Sequence, residues 1–186
     1  DDSHETLAET LGAAGYQTAG FVSGPFLRTV HNFQQGFDLY DESGVRVTSA
    51  TSANEDITNP WMEHLLLRFL GERRDPARPF FLFAYLWDPH YDYIPPPPYD
   101  RMFVPAGAEP IDLGGYENRN IVKPGIPPAQ LEYVISQYDG EIRWTDDMLG
   151  RVFKRLRELG LWENTAIVVT ADHAEAFFEH GAKGHK

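Results

Sequence analysis

The stretch Ala166-Ile167-Val168-Val169-Thr170-Ala171-Asp172-His173-Ala174-Glu175 carries the reading on which the fold turns. The β-branched apolar run at 166–171 predicts a buried strand of a parallel sheet, because a strand covered on both faces loses the alternation of a half-exposed one. The run ends in an acid and an imidazole, at the strand end where open α/β sheets bind ligands. A carboxylate and a neutral imidazole are both metal donors, and adjacent residues at a strand end can turn toward one ion. His180 and His185 come next, with Lys183 and Lys186 beside them. The competing reading makes Asp172 a helix cap and the histidines loop decoration. The metal reading is the one adopted.

Outward from this segment, helices and strands alternate. Ser3 is placed to cap a helix with Leu7, Leu11 and Ala14 on one face, Gly15 ends it, and 18–22 reads as a short strand. Phe33, Phe37, Leu39 and Tyr40 read as loop residues anchored on the core. Pro60, at a first helical position after Asn59, opens a helix with Trp61, Leu65, Leu66 and Phe69 as its apolar stripe. Residues 80–86 form the next predicted strand, succeeded by a loop with four consecutive prolines at 95–98, a rigid spacer. Leu131, Ile135, Tyr138, Ile142, Met148 or Leu149, Val152, Leu156 and Leu159 recur at helical spacing and predict a helix of about 30 residues ended by Gly160. Its charged outer face, including Asp147, Arg151 and Arg155, reads as solvated. This order predicts an α/β fold, a largely parallel sheet with helices on its faces.

Composition narrows the function. The chain has 186 residues, 42% of them hydrophobic and 13% aromatic, which suits a folded domain. A formal net charge of −12 disfavours binding to nucleic acid or anionic lipid, both of which require a basic surface. The absence of cysteine excludes disulfides, thiolate metal sites and a cysteine nucleophile within these residues. The longest apolar stretch, 80–87, falls far short of the roughly 20 residues of a membrane helix. With Asp1 at its start and Lys186 inside the closing motif, the chain reads as an internal piece of a longer polypeptide.

A second group stands at the end of the predicted strand 80–86, in Trp87-Asp88-Pro89-His90. Parallel strands place their carboxyl ends on one sheet edge, so His90 is positioned to meet Asp172 and His173 despite their separation in sequence. Asp88 and Asp92 read as turn residues. Asp1-Asp2-Ser3 imitates an acidic pair beside a hydroxyl nucleophile, but no strand precedes it.

The segments TLAETLGAAGYQTAGFVSG (6–24), PFFLFAYLWDPHYDYIPPPPY (79–99) and the closing Asp-His, Glu-His-Gly and Gly-His pattern resemble, in this order, the sulfatases of the alkaline phosphatase superfamily. The resemblance implies a three-layer α/β/α, alkaline phosphatase-like fold, incomplete at both ends. Residues 1–186 would then be part of a sulfatase-type catalytic domain, without its nucleophile and acidic metal pair, which the family carries upstream, and without the downstream remainder. It implies a sulfuric ester hydrolase acting on small-molecule or carbohydrate sulfate esters. Its catalytic residues would be His90 on the transferred group and His185 at the charged oxygens or leaving group. Asp172 and His173 would be metal ligands, and His180, Lys183 and Lys186 would support substrate binding. The implied cofactors are one divalent ion, Ca²⁺ first, with Mn²⁺ or Zn²⁺ as alternatives because of His173, and an upstream formylglycine. Ala174, Phe178 and Lys186 stand where the family often has glycine, and Ala174 is the position where strain is expected, should the turn need a positive φ. Alternatives are a phosphoryl-transfer relative of the same superfamily (phosphodiesterase, phosphonate hydrolase or phosphoethanolamine transferase) and a catalytically silent binding domain.

Overall fold

The computed structural model describes residues 3–45, 58–90, 92–114 and 122–184. In chain order its main elements are α1 Leu7–Ala13, β1 Gln17–Val22, β2 Leu39–Asp41, α2 Asn59–Arg68, β3 Phe80–Tyr85, α3 Tyr99–Met102, α4 Pro128–Glu158, β4 Ala176–Phe177 and β5 Lys183–Gly184. Three strands pair in parallel in the order β2-β1-β3, with Gly20 beside both Tyr40 and Phe83. Strand alternation sends Ala19 and Phe21 to one face with Phe80 and Leu82. There they pack with Met62, Leu65, Leu66 and Phe69 near or on α2 and Met148, Val152 and Leu156 of α4, forming the main core. The other face carries Thr18, where α1 approaches through Gly12, and an aromatic row in which Phe37 stacks on Phe81 at 5.9 Å.

The α/β reading and the parallel sheet hold, but several local expectations change. Thr6, not Ser3, caps α1: its hydroxyl accepts from Glu9 N at 3.1 Å while Glu9 Oε2 accepts from Thr6 N at 2.8 Å. A reciprocal box needs an acid three residues after the cap, and Glu9 supplies it for Thr6. Leu39 and Tyr40 belong to a strand, because β1 offers them a parallel ladder. The α2 stripe includes Met62, which is fully buried, and the helix runs on into a π-turn over Phe69–Arg73. Arg151 is not merely solvated: its guanidinium grips Glu63 of α2 through two bonds of 2.6 and 2.7 Å. This bidentate pair ties α4 to α2.

The largest correction concerns residues 166–171, which form no strand. Val168 is 86% and Val169 71% exposed, so the run is not buried among the described residues. β-propensity describes fit to a pleated surface, and it yields a strand only where a neighbour supplies backbone partners. Phe83 of β3 is also exposed, at 37%. An uncovered strand edge beside an apolar run is an association surface. Residues 1–186 expressed alone are therefore expected to self-associate; sedimentation velocity giving only monomer across a concentration series would contradict this.

Candidate active site

β3 delivers the first group to the carboxyl edge of the sheet. The Trp87 N–H donates to Ser23 Oγ, just past β1, at 2.8 Å. The His90 N–H donates to Trp87 O at 2.8 Å, and the His90 ring stacks on the indole with centroids 3.9 Å apart. Gly24 makes room for this arrangement, since a Cβ there would lie 2.3 Å from Tyr85 Cε1 and 2.7 Å from Trp87 Cε3. Any other residue would displace one of these rings.

Asp88 is a turn residue, as its context predicts, and is also a buried cap. Its Oδ2 accepts from Thr58 N at 3.2 Å, from Asn59 N at 2.9 Å and from the Thr58 hydroxyl, closing the start of α2 from across the fold. Asp92, at a bend of the loop, is likewise buried, at 5% exposure. Burial pushes the Asp88 carboxyl up to about 6, while the Thr58 and Asn59 donors pull it back toward the carboxylate form. An Asp88→Ala change leaves two buried amides without an acceptor, while the Thr58 hydroxyl keeps Ser23 Oγ at 3.1 Å, and should cost about 2 kcal/mol. A denaturation midpoint unchanged from wild type would rule the cap out as a stabilising contact.

The second group comes from the segment after the 166–171 run. The Tyr85 hydroxyl donates to Asp172 Oδ2 at 3.3 Å, joining β3 to this segment. Burial, then the nearby Asp172 charge, pushes the Tyr85 phenol up to about 12, so it stays a donor at neutral pH. The His173 N–H donates to Asp172 Oδ1 at 3.1 Å, and His173 Nε2 lies 3.8 Å from Asp172 Oδ2. Both side chains are substantially exposed, 59% for Asp172 and 44% for His173. Beyond them, β4 and β5 form an antiparallel hairpin. His180 sits exposed in its turn and Lys183, half-buried, pairs with Phe177 across the ladder. His185 and Lys186 lie outside the described residues. The strain expected at Ala174 is not there; it falls on Phe178, whose φ is 73°, a conformation that bulky side chains rarely adopt.

Two contacts bring the groups to one edge. Besides the Tyr85–Asp172 bond, Phe177 of the hairpin packs on Tyr93 of the His90 loop at 5.8 Å and on Tyr138 of α4 at 5.3 Å. Among the described residues no cluster of three or more His, Cys, Asp or Glu forms a complete ion cage. Asp172 and His173 fit a divalent ion as part of a shell. They supply one oxygen and one nitrogen donor, already close enough to face a common centre.

The sequence pattern also passes over Glu141. The buried face of α4 runs through Val134, Gln137, Glu141, Trp144, Met148, Val152 and Leu156, whereas Ile142 is 43% exposed. Apolar periodicity misplaces this half of the helix because three of its buried positions, Ser136, Gln137 and Glu141, are polar. Glu141 Oε1 accepts from Ile94 N at 3.1 Å, and Oε2 has no hydrogen-bonding partner among the described residues. Burial, and then the charge of Asp88, pushes the Glu141 carboxyl up to about 8. The folded state thus keeps a proton that the unfolded chain releases near the ordinary carboxylate value of 4.5. Stability from this group is complete below that value and is lost as pH rises through about 8. Glu141→Gln should flatten the decline and add a few kcal/mol at about pH 9 relative to wild type. Parallel stability–pH curves for the two proteins would refute it.

The fold and this edge define an α/β domain with a candidate ligand site at the strand carboxyl ends. The sequence model of the Sulfatase family matches residues 1–186, and the chain belongs to that family. Phosphonate monoester hydrolase of Agrobacterium radiobacter superimposes with a TM-score of 0.72 at 21% identity, covering 99% of this chain and 50% of that one, so the fold is alkaline phosphatase-like. Over 130 residues the chain is 29% identical to an arylsulfatase of Clostridium perfringens, covering 64% of this chain and 27% of that protein. Over 132 residues it is 28% identical to the multifunctional alkaline phosphatase superfamily protein PehA of Trinickia caryophylli, covering 58% of this chain and 26% of that protein. Human iduronate 2-sulfatase is 25% identical over 138 residues, with 62% of this chain and 25% of that protein covered. The chain thus spans about a quarter of the curated relatives it matches. No helix among the described residues is long and apolar enough to cross a membrane.

Proposed function

We propose that the full-length protein is a metal-dependent hydrolase of sulfate esters. The observation that carries this reading is the Asp172–His173 pair, its donors 3.8 Å apart, tethered by Tyr85 to the strand that leads into the His90 loop. Family membership supports it, as does the similarity to an arylsulfatase. Asp172 and His173 would hold one divalent ion, which supplies charge neutralisation at the ester oxygens. Calcium is the first choice by family resemblance, and the imidazole of His173 admits Mn²⁺ or Zn²⁺.

His90, held by its stack on Trp87, offers a ring N–H to an oxygen of the transferred group. His185 would assist the departing alcohol, as a proton donor at the ester oxygen. His180, Lys183 and Lys186 would add positive field around an anionic substrate in a chain whose net charge is −12. The nucleophile, a formylglycine by resemblance, belongs outside these residues.

A second reading, phosphoryl transfer, has the similarity to PehA in its favour. The deciding experiment assays the full-length protein on one alcohol presented as sulfate, phosphate monoester, phosphate diester and phosphonate ester. A higher kcat/KM for the sulfate sustains the first reading. A higher value for any phosphorus ester replaces it with the second, and no turnover of any of them argues for a silent domain.

A further inference from the structure

We infer that Glu141 is a positioning residue for His90: it anchors the far end of the loop that carries this histidine, and rests on the reading of His90 as catalytic. The near end is already fixed, because Trp87 N donates to Ser23 and Asp88 is locked onto the start of α2. Four residues past His90, Ile94 N donates to Glu141 Oε1 at 3.1 Å and so ties the loop backbone to α4. The same face of α4 also holds the chain beyond Ile94. Gln137 Nε2 donates to Asp100 O at 2.9 Å, and the Tyr99 hydroxyl donates to Asp147 at 3.0 Å. At Gly140 a Cβ would lie 2.7 Å from Tyr99 O and 2.8 Å from Pro95 Cγ, so the loop sits directly on the helix backbone.

Within this seat Glu141 is the costly member. It is 4% exposed, and one of its oxygens finds no partner among the described residues. An apolar side chain of the same size would serve packing at least as well, since burying a carboxyl costs more than burying a thioether. An apolar residue cannot accept the Ile94 N–H, and that is the difference a positioning role predicts. A group holding a catalytic loop in register changes turnover more than ground-state binding, because small displacements of a reacting group are felt mainly in the transition state.

The test compares Glu141→Met with Glu141→Gln in the full-length protein, using a hydrolysed ester as substrate and correcting for active-site concentration. Met keeps the volume and loses the acceptor, whereas Gln keeps both. Expected is a kcat about tenfold or more below wild type for Met, with KM within about twofold, and a kcat within about threefold of wild type for Gln. The melting temperature of the Met variant should not fall below that of wild type. Equal kcat in the two variants overturns the inference. Hydrogen exchange in the unmodified protein gives a second measure that survives a variant that does not fold. A protected Ile94 amide supports the tether, and one exchanging as fast as free loop amides overturns it. His90→Ala separates the levels. An inactive His90→Ala beside a fully active Glu141→Met removes only the positioning role, while an active His90→Ala removes the reading beneath it as well.

Discussion

Asp172→Ala in the full-length protein should release the bound divalent ion and lower kcat/KM for the sulfate ester by about a thousandfold, roughly 4 kcal/mol of transition-state stabilisation. The carboxylate is placed for this role by more than its sequence neighbours. Tyr85, at the end of a core strand, donates to one of its oxygens, and the His173 backbone donates to the other. A ligand held from two sides has little freedom to lose when an ion arrives. Elemental analysis of the purified variant is the primary readout, because it reports on the ion independently of turnover. Metal content equal to wild type would remove Asp172 from the ligand set, whatever happens to activity. His173→Ala should act in the same direction, and its effect on metal preference is informative. Loss of the imidazole should weaken Mn²⁺ or Zn²⁺ more than Ca²⁺, which takes oxygen donors.

For His90→Ala we expect a fall of a hundredfold to ten-thousandfold, about the range for removing a positioned proton donor or acceptor, with metal content unchanged. The separation from the first prediction matters: Asp172 should move both metal and rate, His90 rate alone. The ring stands on Trp87 at 3.9 Å, with its backbone fixed to the same residue at 2.8 Å. Truncation should therefore leave the loop in place and remove only the imidazole. His90→Asn, which retains a donor near the same position, should recover part of the loss. A His90→Ala enzyme within threefold of wild type would assign the histidine to structure.

Much of this is legible along the chain. Periodicity places β1, α2, β3 and α4, because each buries a face whose spacing is written in apolar residues. The candidate donors are legible because they succeed apolar runs in chemically distinctive pairs. The errors at Leu39, Tyr40 and 166–171 share one physical origin, which is that they concern partners far away in sequence. Leu39 and Tyr40 form a strand because β1 lies beside them, and 166–171 does not because no described ladder completes it. Asp88 does sit in a turn, but nothing local reveals the two amides at the start of α2 that it also caps. Strain is expected at Ala174, but the backbone turns through a positive φ at Phe178 instead.

By itself, then, the sequence determined the class of fold, the order of its main elements and the short list of residues able to hold an ion or move a proton. These come from local chemistry: hydrophobic period, side-chain donors and backbone preference act within a few residues. Only the tertiary structure decided that Tyr85 secures Asp172, that Asp88 and Glu141 are buried carboxyls holding either end of the His90 loop, and that Arg151 clamps α2 to α4. Such contacts join residues 29 to 88 positions apart. Their energies depend on burial, which no single segment possesses until the others have packed against it.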